Sequence, residues 1–255
     1  MLNIERTKYI REELDKLKSV TVEELSKKYF VSPSTIRRDL QLLEQDGIVK
    51  RTYGGAVLIE KDSNEIPYAL RRSEETKEKK EICQLAAMLV KDDMYICLDT
   101  TTTVAQLPQY LSEKKDLKII TPSIQIANEC IDISDANIYV AGGWLNRISR
   151  GCTGENTRNS MAEFYNDILF FSARSISMEH GVTDVNEEDI SLKKIMIEST
   201  RKVVMLATLS KFDQVSYKKV CELNKLDTIV TNRKPDDNWI LYCEQHNIQL
   251  LYPQK

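Results

Sequence analysis

Two stretches of this sequence place polar side chains at spacings that could do chemistry. In the first, Ser34 and Thr35 open a segment in which Ser34, Arg38 and Gln41 fall on one helical side, with Arg37 on the flank. Small hydroxyls and a helix N-terminus can meet phosphates, while Arg and Gln can bond base edges bidentately. Lys50, Arg51 and Tyr53 follow closely. In the second, Asp99-Thr-Thr-Thr-Thr103 gathers hydroxyls and backbone amides of the kind that hold an anion, with an acid that can accept bonds from sugar hydroxyls.

The elements around the first stretch are short. Ile10, Leu14 and Leu17 share a face of an amphipathic helix over about residues 5–18. Thr21-Val-Glu-Glu24 has the form of a capping box, and Val22, Leu25 and Tyr29 make a narrow buried stripe on a second helix. Ser32 as N-cap and Pro33 at the first helical position start a third, whose buried face is Ile36, Leu40 and Leu43 and which Gly47 can close. Residues 48–59 then read as a β-hairpin turning at Gly54-Gly55, with Lys50, Arg51 and Tyr53 on it. Three short helices and a basic hairpin are the plan of a winged helix-turn-helix. The competing reading, a solvated arginine face with a hairpin packed on it, does not need caps, spacing and hairpin to agree as they do here.

These residues resemble the N-terminal domain of the DeoR family of bacterial transcriptional regulators. The resemblance lies in Val22-Glu-Glu-Leu, Val31-Ser, Thr35-Ile-Arg-Arg-Asp-Leu40, Leu43-Glu, Gly47-Ile and Gly54-Gly-Ala56, and covers residues 3–58. It implies binding to double-stranded operator DNA, with the helix at 33–45 as the reader.

Residues 59–73 are polar and contain Pro67, and read as a linker; a charged helix is expected from near Glu74. Its run of alternating charges reads as a solvated face. Apolar runs then recur at 94–98, 117–120, 137–140, 167–171, 202–206, 227–230 and 248–251, each followed by a helical stretch. That alternation predicts an α/β domain over 74–255 with a mostly parallel sheet. In such sheets ligands sit beyond the carboxyl ends of the strands. There stand Asp99 to Thr103, Thr121-Pro-Ser123, Gly142-Gly143, Ser172-Ala173 and Thr208 to Lys211, with Lys193 as a further charge. Two readings stay open on the residues alone: an anion site, or a Thr run that caps a helix while Asp99 satisfies nearby amides.

This part resembles the same family's sensor domain, an α/β fold shared with ribose-phosphate isomerases. Leu98-Asp-Thr-Thr-Thr-Thr103, Ile119-Ile-Thr121, Ile126-Ala127, Ala141-Gly-Gly143, Gly181-Val-Thr183, Lys193-Lys-Ile-Met196 and Ser210-Lys-Phe212 carry it, over about residues 75–233. The resemblance implies a phosphorylated sugar or related metabolite as effector. Its phosphate loop would be Thr101, Thr102 and Thr103, with Asp99, Ser123, Gly142, Lys193 and Lys211 around it. The sequence departs from the family pattern at Thr101 and Ser172 (usually Gly), Pro122 (usually Asn) and Thr208 (usually Asp).

Composition bounds the rest. The chain has 255 residues, 29% charged and 42% hydrophobic, with a net charge of −3. Its first 60 residues carry 11 Lys+Arg against 10 Asp+Glu, which excludes a nonspecific polycation and leaves binding to a few placed cations. No apolar run reaches the ~18 residues of a membrane span, and a cytoplasmic protein is expected. The six cysteines form no C-x-x-C pair and read as buried hydrophobes, so no metal site or cofactor is expected. Only His180 and His246 supply imidazole, and no catalytic residues are assigned; the alternatives are a sugar-phosphate isomerase or deaminase, and a regulator with a drifted pocket that answers to a protein partner. A homodimer or homotetramer matches repeated half-sites.

Overall fold

The computed structural model describes residues 3–17, 19–46, 48–58, 68–133 and 135–254. The chain divides into two compact units, Met1–Glu74 and Glu75–Lys255.

The first unit runs α1 (Asn3–Leu17), β1 (Ser19–Thr21), α2 (Val22–Tyr29), α3 (Pro33–Gln45), β2 (Val49–Arg51), β3 (Gly55–Leu58) and α4 (Tyr68–Ser73). Thr21 caps α2 in a full capping box with Glu24, and the Ser32 hydroxyl accepts from the Thr35 amide at the head of α3, with proline in the first turn. Ile10, Leu14, Val22, Leu25, Ile36, Leu40 and Leu43 close one core with Val20, Ile48, Val49 and Ala56 from the strands. Each of the buried Val, Leu and Ile side chains contributes about 1.5–3 kcal/mol by leaving water.

Four expectations change here. Leu17, the last residue of α1, is 65% exposed and does not join the buried Ile10 and Leu14 on its helical face. The hairpin turns at Tyr53-Gly54, since Arg51 pairs with Ala56 and the Thr52 amide bonds the Gly55 carbonyl at 3.0 Å. Gly55 lies in β3, whose far side pairs with the unforeseen β1 in the order β1-β3-β2. A Cβ at Gly55 would stand 2.0 Å from the Val20 carbonyl oxygen, so close strand approach, and not turn geometry, requires this glycine. Finally, the last residues of the expected linker are helical, in α4. Gly47 and residues 59–67 lie outside the described residues.

The second unit begins with α5 (Thr76–Ala87), whose Lys79 is buried and so departs from the solvated face that its charge pattern predicts. There follow β4 (Tyr95–Leu98), β5 (Leu117–Thr121), α6 (Ile124–Cys130), β6 (Ala136–Val140), β7 (Trp144–Leu145), β8 (Cys152–Thr153) and α7 (Glu155–Ala162). Then come β9 (Asn166–Phe171), β10 (Ser175–Ser177), β11 (Gly181–Asp184), α8 (Glu187–Glu198), β12 (Thr200–Leu206), β13 (Lys218–Cys221), β14 (Thr228–Val230), α9 (Asp237–Gln245) and β15 (Gln249–Leu251). The seven expected apolar runs form one sheet in the order β15-β14-β12-β9-β4-β5-β6, every pairing parallel.

The connections are less uniform than the sequence predicts. After β4 the Thr run enters two three-residue 3-10 turns, and after β12 another 3-10 turn leads to β13. The unforeseen β10, β11 and β13 make a small antiparallel sheet, and β7 pairs with β8. The cysteines are free; all but the half-buried Cys221 are buried, and loss of water pushes the Cys83 and Cys97 thiols well up. Of the two tryptophans, Trp239 is core, its indole N–H donating to Asp213 at 2.9 Å, whereas Trp144 is 84% exposed. No helix among the described residues is long and apolar enough to cross a membrane.

Candidate functional site

In the first unit, α3 presents Ser34, Arg37, Arg38 and Gln41 to solvent, and Lys50 and Tyr53 are exposed on the hairpin. Thr35 is half-buried; its hydroxyl and that of Ser34 each lie 2.8 Å from the Ser32 hydroxyl, so the head of the helix is a cluster of small polar groups. Among the described residues no ion pair engages Arg37, Arg38 or Lys50. Arg51 is different. Its amide and Nε donate to the two Glu44 oxygens at 2.9 and 2.7 Å, which ties the hairpin to the end of α3 and holds the Glu44 carboxyl below its usual range.

The orientation of α3 depends on a pair that sequence reasoning missed. Arg6 on α1 donates through Nε and a terminal nitrogen to both Asp39 oxygens, at 2.5 and 3.0 Å, with Asp39 1% exposed. The bond to Asp39, against the cost of burial, raises the guanidinium above its ordinary value. Asp39 sits one position after the outward arginines, so the pair fixes which face of α3 looks out. Asp39 falling among buried aliphatics on the helical wheel was the available signal; its partner lay too far away in sequence to name.

In the second unit, β4 is flanked by β5 on one side and β9 on the other, so the chain reverses its direction of sheet growth between β4 and β9. A ligand crevice is expected at the carboxyl ends of those strands. There Asp99, fully buried, accepts from the Thr101 amide at 2.8 Å and hydroxyl at 2.6 Å, and from the Ser172 amide at 2.9 Å. Burial lifts its carboxyl above the ordinary range, against the pull of Lys193 and those hydrogen bonds. Lys193 on α8 is 2% exposed and donates to Asp184 on β11 at 2.5 Å. Burial works against its charge, but Asp184, Asp99 and Asp189 hold it protonated. Lys211 donates to the Ser172 hydroxyl at 2.9 Å and the Ala173 carbonyl at 2.7 Å.

The structure thus brings Asp99, Thr101, Ser172, Lys193 and Lys211 into one network of charges and amides. Thr102 and Thr103 are buried beside it, the Cys83 thiol meeting the Thr103 carbonyl. Ser123 and Gly142 serve locally: the Ser123 hydroxyl caps α6 at the Ile126 amide, and the Gly142 carbonyl accepts from Thr157. Thr208 bonds Glu75 and Ser210. Sequence reasoning also missed the segment that packs against Thr100 and the Pro122–Ser123 turn. Gly151 bridges to Ser123, Cys152 donates to the Pro122 carbonyl at 2.7 Å, and a Cβ at Gly151 would stand 2.5 Å from Thr100. Thr100 to Thr103 are at most 8% exposed. Open space lies nearby: a cleft of about 560 Å³ is lined by Gly143, Trp144, Thr153, Gly154, Glu155 and Asn156, and a smaller one by Glu75, Glu78, Thr208 to Ser210, Asn232 and Arg233. No group of acids, cysteines and histidines among the described residues could hold a metal ion.

Comparison with known proteins agrees in both units. Residues 6–62 match the model of the DeoR-like helix-turn-helix domain, and residues 74–233 that of the DeoR C terminal sensor domain. The chain is 31% identical to the HTH-type transcriptional repressor GlcR of Bacillus subtilis, over all of this chain and 98% of that protein. It is 32% identical to the HTH-type transcriptional regulator GolR of Listeria innocua, over 92% of each, and 28% identical to the glycerol-3-phosphate regulon repressor of Escherichia coli, over 91% of each. Ribose 5-phosphate isomerase A of Methanocaldococcus jannaschii superposes with a TM-score of 0.40 at 18% identity, over 55% of each chain.

Proposed function

The chain belongs to the DeoR family of bacterial transcriptional regulators, and on that premise we propose that it represses a carbohydrate-metabolism operon and is itself controlled by a phosphorylated sugar or related metabolite. Residues 3–58 bind operator DNA and residues 74–255 sense the effector. It acts in the cytoplasm and is not an enzyme.

One observation supports the DNA-reading part most strongly. The capped helix α3 carries Arg37, Arg38 and Gln41 outward with no ion pair on either arginine among the described residues, and the buried Arg6–Asp39 pair sets that face. Arg38 and Gln41 would read base edges, Ser34, Thr35 and Arg37 would meet phosphates, and Lys50 and Tyr53 would follow the backbone beside the groove. Arg51 serves first to brace the hairpin against Glu44, and contributes charge from there.

For the effector, the network at the carboxyl ends of β4 and β9 supports a phosphate close to the Thr101–Thr103 amides, where Lys193 and Lys211 supply positive charge and Asp99 orders the loop. Effector control requires that the metabolite bind one DNA-affinity state better than the other. A second reading, a regulator whose pocket has drifted to another class of signal, draws on the burial of Thr100 to Thr103 beneath Gly151.

Fluorescence anisotropy of the full chain on its own upstream DNA tests the first part: salt-sensitive binding is expected, and its absence overturns the reading. Thermal shift against sugar phosphates separates the two effector readings. A raised melting temperature with a phosphorylated sugar favours the first, and a flat panel favours the second.

A further inference from the structure

We propose that the exposed edge of β6 is a homodimer interface, at which two copies of this chain pair β6 antiparallel and join their seven-stranded sheets. The two outer strands of the sheet differ in how they meet solvent. β15 is three residues long and is followed directly by Tyr252 and Pro253, which limits pairing. β6 is five residues long, reads Ala-Asn-Ile-Tyr-Val without a charge or a proline, and has three of its five side chains exposed. Such an edge lacks the devices that keep free strands from pairing.

Its hydrogen-bonding groups suit a two-fold partner. The Ala141 amide donates to the Thr121 carbonyl at 3.0 Å, so the backbone of residues 137, 139 and 141 faces β5. By the two-residue alternation of a strand, Ile138 and Val140 then turn both N–H and C=O outward. Ala136 turns outward too, but its N–H already bonds Ile133, which leaves its carbonyl for a partner. Two such strands set antiparallel about Ile138 satisfy one another. Ile138 exchanges both bonds with Ile138 of the second copy, and each Val140 N–H meets the other's Ala136 carbonyl. Val140 falls beside Ala136 and Tyr139 beside Asn137, so no charge opposes a like charge.

The surroundings supply area. Helix α6, which packs on β6, exposes Ile124 at its start and Ile131 follows at its C-cap, 50% and 67% open. With Tyr139, Val140 and Trp144, at 45%, 39% and 84%, these side chains present apolar surface on the order of 600 Å², at roughly 200 Å² for each one fully exposed. A standard interface takes about 800 Å² from each partner. A second copy of this strand matches the backbone pattern, and these side chains on both faces of the edge would supply most of that area.

Sedimentation of the full chain, alone and without DNA, tests this. The wild type is expected at about twice the 29.4 kDa chain mass at tens of micromolar. Val140→Pro removes an N–H that takes no part in the bonds to β5, and Val140→Lys puts a charge on the edge; each should raise the dimer dissociation constant at least tenfold. Ile138→Cys lies opposite itself in the proposed register, so mild oxidation should cross-link it, while Gln249→Cys on β15 should stay uncrosslinked. A monomeric wild type overturns the proposal, as does a dimer that survives both Val140 variants. Failure of Ile138→Cys to cross-link also overturns it, whatever the fold of the other variants.

Discussion

In the reader unit Arg37, Arg38 and Lys50 stand in solvent with no ion pair among the described residues, while in the sensor unit Lys193 is buried against Asp184 and Lys211 is held by Ser172 and Ala173. In the reader the cations proposed to meet DNA stand apart from the buried pair: Arg6 and Asp39 bond inside the fold, and the outward arginines form no ion pair among the described residues. In the sensor the lysines proposed to meet a phosphate are already engaged by the fold. Its candidate phosphate-binding lysines also neutralise acids that the fold has taken out of water. On the proposed reading an anion that enters there must compete with those bonds, so its binding and the stability of the fold are coupled.

The contrast predicts different consequences for removing a cation. Lys193→Met leaves Asp184, and the Asp99 network behind it, buried without their cation. It should destabilise the second unit by about 3–5 kcal/mol, read by chemical denaturation. A change within ~0.5 kcal/mol would show that the lysine is not structural. Asp39→Ala removes the buried acid that accepts two bonds from Arg6 and should cost the reader about 3–5 kcal/mol, whereas Arg6→Met with Asp39→Leu should regain most of it, because an apolar pair takes the place of both charges. Melting curves that treat the single and double variants alike would deny that the pair acts as a unit.

Arg38→Ala should leave both unfolding transitions in place and weaken operator binding by about 1–3 kcal/mol, with relaxed preference at one base position. An unchanged affinity would remove Arg38 from the base-reading set. The smallest effect is expected from Lys50→Ala: a uniform loss of affinity across DNA sequences, with the slope of log K against log salt shallower by about 1. A sequence-dependent loss would place Lys50 at a base edge instead.

The reader was legible in sequence because its signals are local. Caps at Thr21 and Ser32, Pro33, and the spacing of Ile36, Leu40 and Leu43 specify helices within a few residues. What sequence hid there was tertiary: β1, the approach that requires Gly55, and the reach of Arg6 to Asp39. In the sensor, buried parallel strands announce themselves as apolar runs, so all seven could be read. The small antiparallel sheet could not, since Ser175–Ser177 and Lys218–Cys221 are short and mixed in polarity. Asp99 and Lys211 were nameable by type and strand-end position and Lys193 as a further charge, but their bonds to Ser172 and Asp184 were settled by packing between distant segments. The covering of Thr100 by Gly151 left no trace that a single sequence could reveal.

The most direct test of the whole account is to titrate phosphorylated sugars, each beside its unphosphorylated counterpart, into the full chain bound to its own upstream DNA and to follow anisotropy at fixed salt. At least one phosphorylated sugar should change operator affinity by roughly fivefold or more while its counterpart leaves it unchanged. If the DNA is bound and no phosphorylated sugar shifts its affinity, the sensor does not read a phosphate and this account of it is wrong.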